Sequence, residues 1–213
     1  RPCLWGTGGL LGVGPANEYT LLIFTSPVGP YFKTGMKPIK LQITTDYHRA
    51  APKGTGGVKY IGNYAAGMLA GKKAKQKGFN EAIFLDAKED KYIEEVGAAN
   101  FFCIKGNKLL TPKLGSILPG ITRDSIMKLA KDVYKMDIVE KNVSVEEALD
   151  CDEVFCSGTG AVISSIGSIS YKDKEYTFNN FEVGKITLKL YDLLTHIQTG
   201  EEKENYGWVI EVK

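Results

Sequence analysis

The sequence predicts an α/β domain, and three observations support this. The chain has 213 residues, of which 43% are hydrophobic and 24% charged, so it can bury a sizeable core. Short runs rich in β-forming residues alternate with segments of helical periodicity. No internal repeat or low-complexity linker interrupts them. We therefore expect one α/β domain at residues 19–213, preceded by the remnant of an interdomain linker at residues 1–18.

The first half of the domain begins with two predicted strands. Residues 19–25 form an apolar run of β-formers, and residues 39–45 alternate apolar and polar side chains. Residues 51–57 (APKGTGG) cannot hold a regular element, since Pro and Gly punctuate them. Residues 63–77 contain strong helix formers with lysines in the last turns, and Gly78 is placed to end that helix.

A predicted hairpin follows in the middle of the chain. Residues 81–85 favour a strand, and a longer strand is expected at residues 93–104. Gly106-Asn107 then predicts a tight turn into a strand at residues 108–111. After Leu118-Pro119-Gly120, Thr122 or Asp124 can cap a helix of three-four apolar spacing.

The last third repeats the alternation. Residues 144–147 (SVEE) are a capping box for a short helix. Residues 153–156 predict a strand that leads directly into Ser157-Gly158-Thr159-Gly160. A helix at residues 185–198, closed by Gly200, and a short strand at residues 208–212 complete the predicted domain.

Composition argues against several classes of function. Lys and Arg outnumber Asp and Glu by only 27 to 25, and no basic stripe alternates with aromatics, so we expect no nucleic-acid partner. No apolar run approaches about 18 residues, so we expect no membrane span. The cysteines and histidines form neither a C-x-x-C pair nor a metal-ligand set, which favours a reduced intracellular compartment without structural zinc (Cys3, Cys103, Cys151, Cys156, His48 and His196).

Two side-chain types could carry chemistry. Lys59 follows a glycine-rich run, where close backbone approach could partly desolvate it and make it nucleophilic; alternatively it is one solvated lysine among many. Glu94 and Glu95 are adjacent on a predicted strand, so their side chains should point to opposite faces, with only one facing the interior. Glu95 could be an edge-strand residue, but if buried it needs a cationic partner.

Two segments could bind a phosphate-sized anion. Gly120-Ile121-Thr122 lies at a predicted helix start, and Ser157-Gly158-Thr159-Gly160 follows a strand. Backbone N–H groups at such places attract anions. A segment of either kind, taken alone, is more often a plain turn and cap.

Taken together, five ordered blocks resemble the fold-type IV aminotransferases, and within them the branched-chain amino acid aminotransferases of the plant branch. The similarity runs over almost the whole chain. The blocks are EYTLLIFTSPVGPYF (residues 18–32), GTGGVKYIGNYAA (54–66), YIEEVGAANFF (92–102), ILPGITR (117–123) and EVFCSGTGAVIS (153–164).

The resemblance implies a fold, a cofactor and a reaction. The fold would be the large C-terminal domain of the D-amino acid aminotransferase-like (fold-type IV) architecture, with strands in a pseudo-barrel and surrounding helices. The cofactor would be pyridoxal 5'-phosphate. The reaction would transfer the amino group of leucine, isoleucine or valine to 2-oxoglutarate, in a homodimer. The resemblance favours a plastid or mitochondrion, with the cytoplasm as the alternative compartment.

Site residues are implied residue by residue. Lys59 would carry the cofactor as a Schiff base and act as general acid and base, Glu95 would bond the pyridine nitrogen, and Tyr64 the 3-oxygen. The phosphate would be held by backbone groups of Ile121 and Thr122 and by the Thr159 hydroxyl. The substrate carboxylate would meet the backbone of Thr159 and Gly160.

The sequence departs from the family pattern in ways that leave other functions open. Gly160 stands where many relatives have Ala, and the C-x-x-C of some animal relatives is absent. The smaller N-terminal domain of family members, which supplies an Arg to the phosphate, is not in these residues. The alternatives are a catalytically silent truncated homologue acting as a binding partner, or another fold-type IV enzyme such as a D-amino acid aminotransferase or an aminodeoxychorismate lyase.

Overall fold

In the computed structural model, residues 1–27 and 35–211 are described, and contacts divide the chain into two units, Arg1–Lys33 and Thr34–Lys213. The first unit holds an antiparallel pair, β1 (Pro2–Thr7) and β2 (Glu18–Ile23). The strand predicted at residues 19–25 is thus confirmed, whereas residues 2–7, expected in a linker, also form a strand. The predicted boundary at residue 18 stays a prediction, and the end of the first resemblance block lies outside the described residues.

The second unit is built on a closed barrel of six strands. They are β3 (Ile39–Ile43), β4 (Glu81–Leu85), β5 (Ile93–Val96), β6 (Ala99–Lys105), β9 (Glu153–Gly158) and β10 (Val162–Tyr171), paired in the order β10-β3-β4-β5-β6-β9 and back to β10. Two strands, β7 (Lys108–Pro112) and β8 (Asp137–Lys141), extend the sheet from β6, and β11 (Lys174–Thr177) extends it from β10. The predicted pseudo-barrel is confirmed.

The helices match the predicted ones closely. They are α1 (Ile61–Gln76), α2 (Ile121–Asp132), α3 (Val145–Leu149) and α4 (Lys185–Thr199), with a 3₁₀ turn at Asn179–Phe181. The Ser144 side chain caps α3 by accepting from the Glu147 N–H, and Gly200 ends α4 at φ 78°. The cap expected from Thr122 or Asp124 is wrong: α2 already begins at residue 121, and Gly120 precedes it without a side-chain cap.

Side chains that alternate along the strands form two cores. On β6, Phe101 and Cys103 belong to the barrel interior, while Phe102 and Ile104 lie on the outer face, which α2 and α4 cover. The Phe102 ring stacks on Phe155 of β9 at 4.9 Å between centroids. A smaller cluster on the outer face of β4 packs against α1. Both surfaces of the barrel wall are therefore covered over much of their area.

Other sequence predictions need correction. The long strand expected at residues 93–104 is two strands, because Gly97, at φ 54°, turns the chain between β5 and β6. Residues 208–211 form no strand, and residue 212 lies outside the described part of the chain. Strands β8, β10 and β11 were not predicted. Among the described residues, no helix combines the length and apolarity that a membrane crossing needs.

Candidate active site

A row of cross-strand partners runs over the outer face of the barrel. The register pairs Phe84 with Glu95, Glu95 with Asn100, Asn100 with Ser157 and Ser157 with Ile163. Since neighbouring strands are about 4.8 Å apart, Glu95 and Ser157 lie roughly 10 Å from each other on the same face. The row therefore places a carboxylate, an amide and a hydroxyl in line.

A cavity of about 620 Å³ opens at the Glu95 end of this row. Helix α1 forms one wall, and the turn between β5 and β6 forms another. Its lining includes Lys59, Tyr64, Glu95, Arg49 and Leu118. The structure thus brings together three of the predicted site residues, Lys59, Tyr64 and Glu95.

The loop before α1 delivers Lys59 to the cavity. Gly56 packs so closely on the Ser116 carbonyl that a Cβ there would lie 2.0 Å from the oxygen. Asn63 ties the loop to the helix by donating from Nδ2 to the carbonyls of Thr55 and Val58. These contacts fix the backbone on both sides of Lys59, so the Gly-rich run has a positional purpose.

The amine of Lys59 lies beside a phenol. Lys59 Nζ donates to the Tyr64 hydroxyl at 2.9 Å, over five residues that span the start of α1. The side chain of Lys59 is exposed, so the hypothesis of partial desolvation is wrong for this structure. The amine is instead held by Tyr64 at the rim of the cavity.

Glu95 is the most buried ionisable group of the cavity, at 2% exposure. Arg49 Nε lies 2.8 Å from its Oε2, while Asn100 Nδ2 and the Leu118 N–H donate to its Oε1 at 3.0 and 3.1 Å. Burial raises the pKa of Glu95 to about 7, and the nearby Arg49 charge and the Leu118 N–H oppose that rise. Arg49 is the cationic partner that a buried Glu95 requires.

Glu94 is also buried, at 5% exposure, which corrects the expectation that only one of the two glutamates faces the interior. Its carboxylate accepts from the Ser116 hydroxyl, and burial raises its pKa. The pairing of β4 with β5 is irregular here, because Phe84 pairs with Glu95 and Leu85 with Ile93, so the register passes over Glu94. The guanidinium of Arg49 also donates to the Ser116 carbonyl, and its charge opposes the rise in pKa at both carboxylates.

The predicted phosphate-binding residues lie outside the cavity lining. Ile121 and Thr122 open α2, where no side chain caps the first N–H groups, and α2 packs on β9. Thr159 and Gly160 are exposed in the turn after β9. Ser157, just before that turn, is 2% exposed, and its hydroxyl has no hydrogen-bond partner among the described residues. The roles of Ile121, Thr122, Thr159 and Gly160 stay predictions.

Sequence reasoning missed three residues that organise the site. Arg49 lies ten positions before Lys59, and Asn63 and Asn100 contact the loops that surround the cavity. The need for a cation beside Glu95 was the only signal for Arg49. For Asn100, its position opposite Glu95 would have been visible only with the Gly97 turn correctly placed.

Within the described part of the chain, no group of three or more His, Cys, Asp or Glu side chains could hold a metal.

Fold and site together define a transferase domain of one known class. The family model described as "Amino-transferase class IV" matches residues 1–169, and the chain belongs to this family. Members of the class use pyridoxal phosphate.

Within the class, the relatives are branched-chain amino acid aminotransferases. The chain is 47% identical over its full length to a chloroplastic enzyme of Arabidopsis thaliana, and 46% identical to a probable one of Staphylococcus epidermidis. It covers 51% and 61% of these two relatives, so it spans little more than half their length. The branched-chain aminotransferase of Escherichia coli superposes with a TM-score of 0.85 at 32% identity, over 97% of this chain and 67% of that one.

The residues present fit pyridoxal phosphate. A primary amine and a buried carboxylate line one cavity, which suits an aldehyde and a pyridine nitrogen. Along the row from Glu95, the unpartnered hydroxyl of Ser157 and the uncapped start of α2 suit an anion. A buried hydroxyl that no described residue satisfies is costly, and Gly120, at the start of α2, lies against Asn100, the cross-strand partner of Ser157.

Proposed function

We propose that this chain carries the catalytic centre of a branched-chain amino acid aminotransferase, in which Lys59 holds pyridoxal phosphate and the amino group of leucine, isoleucine or valine passes to 2-oxoglutarate. The observation that supports this most directly is the meeting of Lys59, Tyr64 and the Arg49–Glu95 ion pair around one cavity. The high identity to branched-chain aminotransferases supports the substrate class.

The bound cofactor supplies an electron sink for the substrate's α-carbon. Lys59 Nζ would move the proton at that carbon, because the Tyr64 hydroxyl holds this amine at the cavity. Glu95 would face the ring nitrogen, and the Arg49 charge favours its carboxylate form against the effect of burial. The 3-oxygen would lie near Tyr64.

The remaining site residues would bind and orient. The first amides of α2 at Ile121 and Thr122 and the Thr159 hydroxyl would hold the phosphate, and the backbone at Thr159 and Gly160 the substrate carboxylate. Holding both ends of a reactant fixes the bond to be broken and lowers the entropic part of the barrier.

The test is the visible absorption spectrum of the purified chain with added pyridoxal phosphate, before and after addition of leucine. Three proteins are compared: wild type, Lys59→Ala and Lys72→Ala, the last removing another lysine from the wall of the same cavity. We expect wild type and Lys72→Ala to show a band that leucine bleaches, and Lys59→Ala to show none. An equal band in all three proteins would mean that Lys59 is not the amine that binds the cofactor. A band that leucine leaves unchanged would favour the silent homologue.

The substrate class is tested in the same assay by comparing leucine, isoleucine and valine with D-alanine. We expect the three branched L-amino acids to bleach the band and D-alanine to leave it. Bleaching by D-alanine alone would move the chain to the D-amino acid aminotransferases.

We further infer that the protein forms a homodimer and acts in a plastid or mitochondrion. The relatives that support the compartment are named chloroplastic in Arabidopsis thaliana and mitochondrial in Humulus lupulus. Sedimentation equilibrium of the loaded protein tests the dimer, and a monomer mass at all concentrations would refute it. Imaging of a tagged natural protein tests the compartment.

A further inference from the structure

A single buried side chain, Asn100, contacts both ends of the proposed cofactor site. Its Nδ2 donates one hydrogen to Glu95 Oε1 at 3.0 Å and the other to the Leu118 carbonyl at 2.9 Å. An amide nitrogen has only two hydrogens, so both donors are used. Asn100 is 5% exposed, which means that water cannot replace either bond without opening the site.

The loop that Asn100 holds leads directly into α2. The N–H of Leu118 donates to Glu95 Oε1 at 3.1 Å, and the Leu118 carbonyl accepts from Asn100. Both backbone polar groups of Leu118 are therefore hydrogen-bonded to these two side chains. Gly120 then lies over Asn100: a Cβ on Gly120 would be 2.3 Å from Asn100 Oδ1. The position of the first turn of α2 is therefore set by contact with Asn100.

We propose that Asn100 is a positioning residue that couples the carboxylate at the ring-nitrogen end of the site to the anion-binding start of α2. This inference rests on the proposed function. One side chain orients Glu95 and anchors the loop at Leu118–Gly120, so a displacement at either end is transmitted to the other. The coupling runs through two hydrogen bonds and one close packing contact, which join two neighbouring strands to the loop before α2.

The coupling makes a specific prediction for ligands with and without a phosphate group. Asn100→Leu keeps a similar volume but removes both donations. We expect this substitution to lower the affinity for pyridoxal by about tenfold, since a hydrogen bond to a charged group is lost at Glu95. We expect the advantage of pyridoxal phosphate over pyridoxal to shrink by about tenfold as well, because the start of α2 loses its anchor.

Gly120→Ala tests the same coupling from the other end. The added Cβ must displace Asn100. A change in the loop at Leu118–Gly120 should therefore also lower the affinity for pyridoxal, which has no phosphate group. The effects of the two substitutions should be less than additive, because both act through one contact.

A matched control separates positioning from folding. Thr111→Val removes the bond from a fully buried hydroxyl to the Phe101 carbonyl on β6, remote from the cavity lining. We expect it to lower the melting temperature about as much as Asn100→Leu while leaving the affinities for both ligands, and their ratio, at wild-type values.

The experiment is a spectroscopic titration of the full chain and each variant with pyridoxal phosphate and with pyridoxal, alongside thermal unfolding. Loss of affinity at both ends in Asn100→Leu and Gly120→Ala supports the coupling. Loss at one end only, or equal behaviour of Asn100→Leu and Thr111→Val, overturns it while the proposed function stands. If wild type shows no Lys59-dependent band with either ligand, the proposed function fails and this inference fails with it.

Discussion

Glu95 should make the unliganded protein less stable as the pH rises through neutrality. Its pKa lies at about 7 in the folded chain, against 4.5 when unperturbed, because the carboxylate is buried. Between these two values the folded state keeps a proton that the unfolded state has released. The free energy of unfolding therefore falls as the pH rises, and the stabilisation present below pH 4.5 is lost once the pH passes about 7.

The magnitude follows from the size of that pKa change. It corresponds to at most about 3 kcal/mol, which is a large part of the stability of an ordinary domain. Glu94 acts in the same direction, since burial also raises its pKa. Arg49 faces both carboxylates, and it limits the effect at each.

The perturbation is Glu95→Gln, which keeps the shape of the side chain but cannot ionise. Urea unfolding followed by circular dichroism, at about pH 5 and about pH 8, measures the change in stability between the two conditions. We expect wild type to lose more stability than Glu95→Gln over this interval, and the exposed Glu89→Gln to behave as wild type. A wild-type protein that is equally stable at both pH values, or a Glu95→Gln protein with an undiminished loss, would refute the reasoning.

Three further predictions concern the framework of the site. Glu153→Ala should cost about 2–3 kcal/mol in urea unfolding, because this carboxylate accepts from two backbone N–H groups and a hydroxyl at the start of α4; a loss below 0.5 kcal/mol, roughly that of a surface change, would contradict it. Gly56→Ala should lower the melting temperature and abolish cofactor binding, whereas Gly115→Ala, with open space at its Cβ, should bind as wild type; equal binding by both proteins would argue against the close approach. Asn63→Leu removes the ties between α1 and the loop before Lys59, so limited proteolysis should cut that loop faster than in wild type, and unchanged cleavage would show that the loop is held in another way.

The elements that could be predicted from the sequence are those whose residue pattern depends on local structure alone. Strand β4 and helix α4 were found almost to the residue, since their apolar spacing and bounding residues agree. Strand β10 was missed because its serines resemble a loop, although most of the strand is buried. Such a strand is stabilised in part by pairing with β3, more than 120 positions earlier, which no local window contains.

The site shows the same contrast. Lys59, Tyr64 and Glu95 come from blocks that resemble a family, and they meet in one cavity. Arg49 and Asn100 depend on tertiary contacts with Glu95, so the sequence could state the need for a counter-charge but not its source. The burial of both Glu94 and Glu95 could not be predicted, because it depends on the irregular register at Glu94 and on contacts with Ser116 and Leu118 of a distant loop.

The barrel can close only late in synthesis, because one of its strand pairs joins distant parts of the chain. Strand β3 is held on one side by β10, whose paired residues stand more than 120 positions later in the chain. Contacts this distant in sequence form slowly, since a long loop must be closed first. A nascent chain that ends before residue 166 has Lys59 and Glu95 but cannot join β3 to β10. Until β10 emerges and pairs, the edge of β3 is open to pairing with other chains, so the slow step of barrel closure is also the period of greatest exposure to aggregation.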